Sequence, residues 1–282
     1  MPLLHGRRRP GKGHLTKLII VGWLVGCLVT FLLIHSQEAT PSAEVPSLLN
    51  PWPELRSHPL PPTLAQWSGS PPNDDYFDQI QAVNVGYLVW SRFPVQVFIE
   101  PLKPTEPAIP SAVQRSQAWI EAVQQAVQDW SAYLPLQVVS RADEADIAIW
   151  RVAPPLQILM EPGDPASPRP SARRQRLSLG RARAAETRFE IYPRSLSGHA
   201  PSRYQLAHRC KILLRPDQPL AYTLATARHE LGHALGIWGH SPSETDTMFF
   251  SQVRTPPAIS QRDINTLKRI YQQPTRLGWE LP

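Results

Sequence analysis

The sequence predicts an α+β domain over residues 76–274, preceded by an apolar segment of membrane-spanning character. Three observations carry that reading. Short runs such as 94–100 alternate apolar and polar residues, the period of a half-buried strand. Two stretches, 111–134 and 261–271, repeat apolar residues at helical spacing. Between them a helix from about Thr223 carries a dense cluster of histidines. A chain of 282 residues can bury one good core, and its 32 prolines gather in stretches unsuited to packing.

From the N-terminus, Arg7, Arg8, Arg9, Lys12 and Lys17 lie in a basic segment, 1–17, ahead of an uncharged apolar run over 18–34. A run of that length with a positive flank reads as a transmembrane anchor whose basic side stays in the cytoplasm. A cleaved signal peptide is the alternative, although no clear small-residue cleavage site follows Ile34. The rest of the chain is then periplasmic or extracellular, membrane-anchored in the first reading and secreted in the second. Residues 35–75 form a proline-rich linker, because repeated X-Pro pairs favour extended backbone and remove hydrogen-bond donors.

The folded part opens near Tyr76. Val95, Val97 and Ile99 share one face of a strand closed by Pro101. Trp119, Val123, Val127, Trp130 and Leu134 form the apolar stripe of a helix stopped by Pro135. Two short strands follow, 136–139 and 145–150. Residues 154–176 are proline-rich with nearly unopposed arginines and read as a solvated insertion. Residues 179–185 and 188–192 read as a strand pair, and 206–214 as a further strand. In the histidine helix, Leu224, Ala227, Leu231, Ala234 and Leu235 form a buried stripe while His229 and His233 face elsewhere. Gly232 inside that helix costs about 1 kcal/mol against Ala, which implies a close neighbour there. Ser260 and Asp263 are spaced as a capping box for a last helix, ended by Pro274, and 275–282 is a tail.

The chemistry concentrates in His229-Glu230-Leu231-Gly232-His233, followed by Gly236 and His240. Imidazoles four apart on a helix lie one turn apart on one face and can reach a single metal ion. A carboxylate between them can lean over the open side of that metal and take a proton from water. Gly236 can adopt positive φ, ending the helix so that His240 returns as a third imidazole. Three neutral nitrogens around Zn²⁺ leave a fourth position for water, the arrangement of a catalytic site. His199 and His208 lie outside this pattern and read as ordinary loop and strand residues. Cys27 and Cys210 are far apart and imply no disulfide framework.

These residues resemble the metzincin zinc endopeptidases, and the matrixins among them, whose pattern is H-E-x-x-H-x-x-G-x-x-H followed by a methionine turn. One departure is plain: Ile237, Trp238 and Gly239 separate Gly236 from His240 where the family has two residues. The extra residue reads as a bulge in the turn with Gly239 absorbing it, and Asp246 on the same loop is the alternative oxygen ligand. His240-Ser241 and the placing of Met248 are again similar to matrixins, as are Ala145-Asp146-Ile147-Ala148-Ile149 and the final helix. The resemblance spans residues 85–272. It implies a twisted mixed five-stranded sheet, three main helices, one catalytic zinc on His229, His233 and His240, Glu230 as general base, and Met248 as a structural base beneath the metal. It also implies an extended peptide or protein substrate lying antiparallel to the edge strand. Phe249-Phe250-Ser251 lacks the Tyr-Pro of the matrixin pocket wall, so side-chain preference is not carried over. The linker has no cysteine, so the thiolate latency switch is not carried over either.

The net charge of +6 comes largely from two local arginine clusters, without an aromatic-interleaved groove, which argues against a nucleic-acid partner. The sequence therefore predicts a zinc metalloendopeptidase acting outside the cytoplasm. The alternatives are a membrane-tethered, non-catalytic zinc-containing binding module and a two-His-plus-Glu zinc peptidase. The last helix offers no ligand glutamate for the latter. Oligomeric state has no sequence signature here.

Overall fold

The alternation of residues 95–99 becomes one strand of a five-stranded mixed sheet in the computed structural model. The structure describes residues 52–282 except 70, 72, 103–108, 157, 162–175, 180–182 and 197–202. The basic segment 1–17, the apolar run 18–34, the first part of the linker, Cys27 and His199 lie outside the described residues. Among the described residues no helix is long and apolar enough to cross a membrane.

In chain order the elements are α1 (Pro62–Gln66), a 3₁₀ turn (Phe77–Gln79), β1 (Val95–Ile99), α2 (Pro110–Ser131), β2 (Leu136–Val139), β3 (Ile147–Trp150), β4 (Ile158–Glu161), β5 (Arg176–Leu179), β6 (Ala185–Leu196), β7 (Arg203–Leu214), α3 (Leu220–Ala234) and α4 (Gln261–Tyr271). A second 3₁₀ turn, Ala142–Glu144, joins β2 to β3. The sheet order is β2-β1-β3-β7-β6, parallel except for β6, which runs antiparallel to β7 along its whole length. That architecture is α+β, as the sequence predicts.

Helices α2 and α3 pack on each other and on the sheet. The stripe read from the sequence is buried on α2: Trp119, Val123, Val127 and Trp130 join Val95, Val97, Ile147, Ile149 and Leu231 in one core. Trp130 also donates its indole N–H to the Arg228 carbonyl of α3 at 2.9 Å, and Arg228 Nε pairs with Asp129 at 2.6 Å. The two helices are thereby locked in register where α3 carries its histidines.

The strand pair expected at 179–185 and 188–192 is a correction. Residues 185–196 form one uninterrupted strand, and 176–179 pair instead with 158–161, a strand inside the expected insertion 154–176, in a separate ribbon. No turn residue interrupts Glu186-Thr187, and β6 has solvent on one face, so its charged residues continue the pleat. As an edge strand it also tolerates Pro193.

The folded unit is larger than the sequence predicts at both ends, running from Pro51 to Pro282. Leu64 is fully buried, and Trp67 donates to Asn265 Oδ1 of α4 at 2.9 Å. The expected tail is equally fixed: Thr275 exchanges backbone hydrogen bonds with Arg56, and Leu206 N–H donates to the Trp279 carbonyl at 2.9 Å. His58 stacks on Trp279 with centroids 4.2 Å apart and bonds the Leu277 carbonyl. Proline-rich backbone lacks internal ladders but can lie along a helix that supplies side-chain donors, and Lys268 and Asn265 of α4 do so. A chain starting at residue 76 is thus expected to lose on the order of 3 kcal/mol or more, the scale of one emptied core leucine site. Thermal melts against a chain starting at residue 51 measure this; equal melting temperatures would contradict it.

His208 is buried on β7 and stacked on Trp90 at 3.8 Å between centroids, so it is a core residue, as expected of a histidine outside the metal pattern. Burial, and then the Arg194 charge, push its pKa down to about 3. In the unfolded chain it titrates near ~6.5. Its contribution to stability is therefore complete above that value and is lost as pH falls from there toward the folded pKa, at about 1.4 kcal/mol per pH unit. His208→Phe, which keeps a ring on Trp90, should reduce the slope of urea stability against pH by about one proton's worth between about pH 6.5 and 4 in metal-free protein, the slope from His233 and His240 remaining. An unchanged slope would contradict the assignment.

Candidate metal centre

Helix α3 ends in a Schellman turn that brings the third imidazole back over the first two. Gly236 N–H donates to the His233 carbonyl at 3.1 Å and Ile237 N–H to the Gly232 carbonyl at 3.0 Å. Gly236 has φ +125°, the positive value expected of it. Gly239 does not adopt positive φ; the positive-φ glycines among the described residues are Gly86, Gly236 and Gly278. Beyond Gly236 the chain makes a three-residue turn centred on Ile237, with Trp238 N–H donating to the Gly236 carbonyl at 2.8 Å. Trp238 then packs edge-on against Phe189 of β6, centroids 5.0 Å apart, and lies 5.8 Å from the His233 ring. Gly239 is needed for another reason. A β-carbon there would collide with the Gln79 carbonyl, and Ile80 pairs with Gly239 through the backbone.

His229, His233 and His240 converge, with candidate ligand atoms all within 4.8 Å of one another. His229 Nδ1 lies 2.9 Å from the Thr247 carbonyl and His233 Nδ1 lies 2.7 Å from the Ile237 carbonyl. A carbonyl only accepts, so both Nδ1 atoms carry the proton and both Nε2 lone pairs are bare. Those two Nε2 atoms face each other at 3.1 Å. Two bare lone pairs at that distance repel unless a proton or a metal ion lies between them. Zn²⁺ with bonds of about 2.0–2.1 Å in tetrahedral geometry sets ligand nitrogens about 3.3 Å apart, close to the spacing of this pair, and His240 is the third imidazole within reach. Burial lowers His233 well below the ordinary imidazole value, and partial desolvation followed by the His229 charge lowers His240, both of which favour neutral, metal-ready rings.

Met248 is fully buried beneath these rings' helix. A β-carbon on Gly232 would collide with its Sδ, so the glycine that weakens α3 is where the methionine packs. Its turn is held from below: Asp263 accepts from Thr247 N–H at 2.9 Å, Ser260 N–H at 2.8 Å and the Tyr76 hydroxyl at 2.6 Å. Asp246, the alternative ligand, is not among the residues that converge. It is buried, accepting from Ser241 Oγ at 2.5 Å and from Arg262 Nε at 3.0 Å, and Arg262 reaches on to Asp74. It anchors the loop beside His240.

Glu230 is buried at the wall of the same cleft, which measures about 720 Å³. Its Oε2 accepts from Thr187 Oγ1 of β6 at 2.6 Å. Burial pushes its carboxyl up, against the opposing His229 charge and the Thr187 hydroxyl. Beyond the histidines the cleft is lined by Tyr222 and Thr226 of α3, by β6, and by the loop from Phe249 to Pro257. Thr187, the two carbonyls that orient the imidazoles, and the Gln79–Gly239 contact have no local sequence signature. No family model matches the chain, and no curated protein matches it.

Proposed function

We propose that this chain is a zinc-dependent metalloendopeptidase of the metzincin type, matrixin-like in its motif, cleaving proteins outside the cytoplasm and tethered through residues 18–34. The observation that carries the reading is the convergence of three imidazoles, two with Nδ1 committed to carbonyls, beside a buried Glu230 in an open cleft. His229, His233 and His240 would hold one Zn²⁺. Bound there, zinc supplies Lewis acidity toward a carbonyl oxygen and makes a water molecule more acidic. Glu230 accepts the proton of the attacking water and returns it to the leaving amine. Met248 and the Asp263 network keep the floor of the site rigid, and β6, an edge strand, offers free main-chain groups to an extended peptide.

Zinc content and casein or gelatin cleavage by residues 51–282 test the proposal. One zinc per chain, with activity lost to chelator and restored by zinc, is expected. A chain that binds zinc yet leaves a broad peptide library intact would instead favour the binding-module alternative.

A further inference from the structure

We infer that Thr187 is a positioning residue that holds Glu230 in its working orientation, an inference that rests on the peptidase reading. Thr187 Oγ1 lies 2.6 Å from Glu230 Oε2 and 3.1 Å from the Glu230 backbone carbonyl. A hydroxyl has one proton. The shorter distance lies in the range of charge-assisted O–H···O⁻ bonds, so the proton goes to the carboxylate. The backbone carbonyl belongs to α3, where the helical ladder supplies its partner.

Two consequences follow from that geometry. First, Oε2 already accepts one charge-assisted hydrogen bond, which lowers its basicity and makes Oε1 the better acceptor of a proton from water. Second, the carboxylate is tied to β6, the strand on which an extended substrate would lie, because Thr187 is paired through the backbone with Ile212 of β7. The base and the substrate platform are then fixed to one strand. A glutamate on α3 alone would keep several side-chain rotamers, and one bond from a β-branched residue on a paired strand removes most of them.

The test uses the full chain. Thr187→Val keeps the β-branched shape without the hydroxyl, and Thr187→Ser keeps the hydroxyl without the methyl. Loss of a hydrogen bond to a charged group predicts that Thr187→Val lowers kcat roughly 10- to 100-fold, with KM and zinc content unchanged. Thr187→Ser should stay near wild type. Independently of activity, urea unfolding of metal-free wild type, Thr187→Val, Glu230→Ala and the double variant should be non-additive. An unchanged kcat in Thr187→Val, or equal impairment of Thr187→Ser, would overturn the positioning role. A wild type that cleaves no peptide would overturn the peptidase reading instead. Additive unfolding would then overturn the Thr187 contact as well, and non-additive unfolding would uphold it.

Discussion

Replacing Glu230 by glutamine is expected to lower peptide hydrolysis by a factor on the order of 10² to 10⁴ while zinc content stays constant, the usual worth of general acid–base catalysis. Glutamine keeps the size of the side chain and can still accept from Thr187, so the cleft wall should hold its shape. What it cannot do is take the water proton. Because Glu230 is not among the converging ligand atoms, its removal leaves the three imidazoles, and the carbonyls that orient His229 and His233, in place. Equal hydrolysis by the two proteins would defeat the proposed chemistry, and a large loss of zinc would make Glu230 a ligand.

The second large effect is expected at the loop that carries His240. His240→Ala should remove much of the zinc affinity and nearly all activity, since it takes away one of three converging nitrogens. Asp246→Asn should keep zinc stoichiometry near one per chain. It will lower stability, because a buried carboxylate that accepts from Ser241 and Arg262 is exchanged for a neutral amide. Metal analysis and melting of both variants separate the roles. Full zinc occupancy in His240→Ala together with loss in Asp246→Asn would move the third ligand to Asp246.

Much of this was legible wherever a short-range pattern carries the physics. The α2 stripe, the Ser260–Asp263 capping box, the positive φ of Gly236 and the close neighbour at Gly232 all follow from spacing or from the special backbone of glycine. The box forms with both reciprocal hydrogen bonds present. What escaped depends on partners far along the chain. Residues 52–75 have the composition of a linker, and only the donors of α4 and the return of 275–281 give them a place. The break read between 185 and 188 was a solvated edge strand, whose charges belong on its outer face. The three residues between Gly236 and His240 are visible in the motif. Their path, a turn at Ile237 with Trp238 between Phe189 and His233, depends on the positions of β6 and of Gln79.

An open, three-imidazole zinc site underlies the whole proposed chemistry. Zinc-edge X-ray absorption of residues 51–282 loaded with one equivalent of metal tests it most directly. Three histidine nitrogens and one non-protein oxygen are expected, all at about 2.0–2.1 Å, with the oxygen replaced when a hydroxamate inhibitor is added. A shell closed by a fourth protein ligand, or one with only two imidazoles, would contradict it.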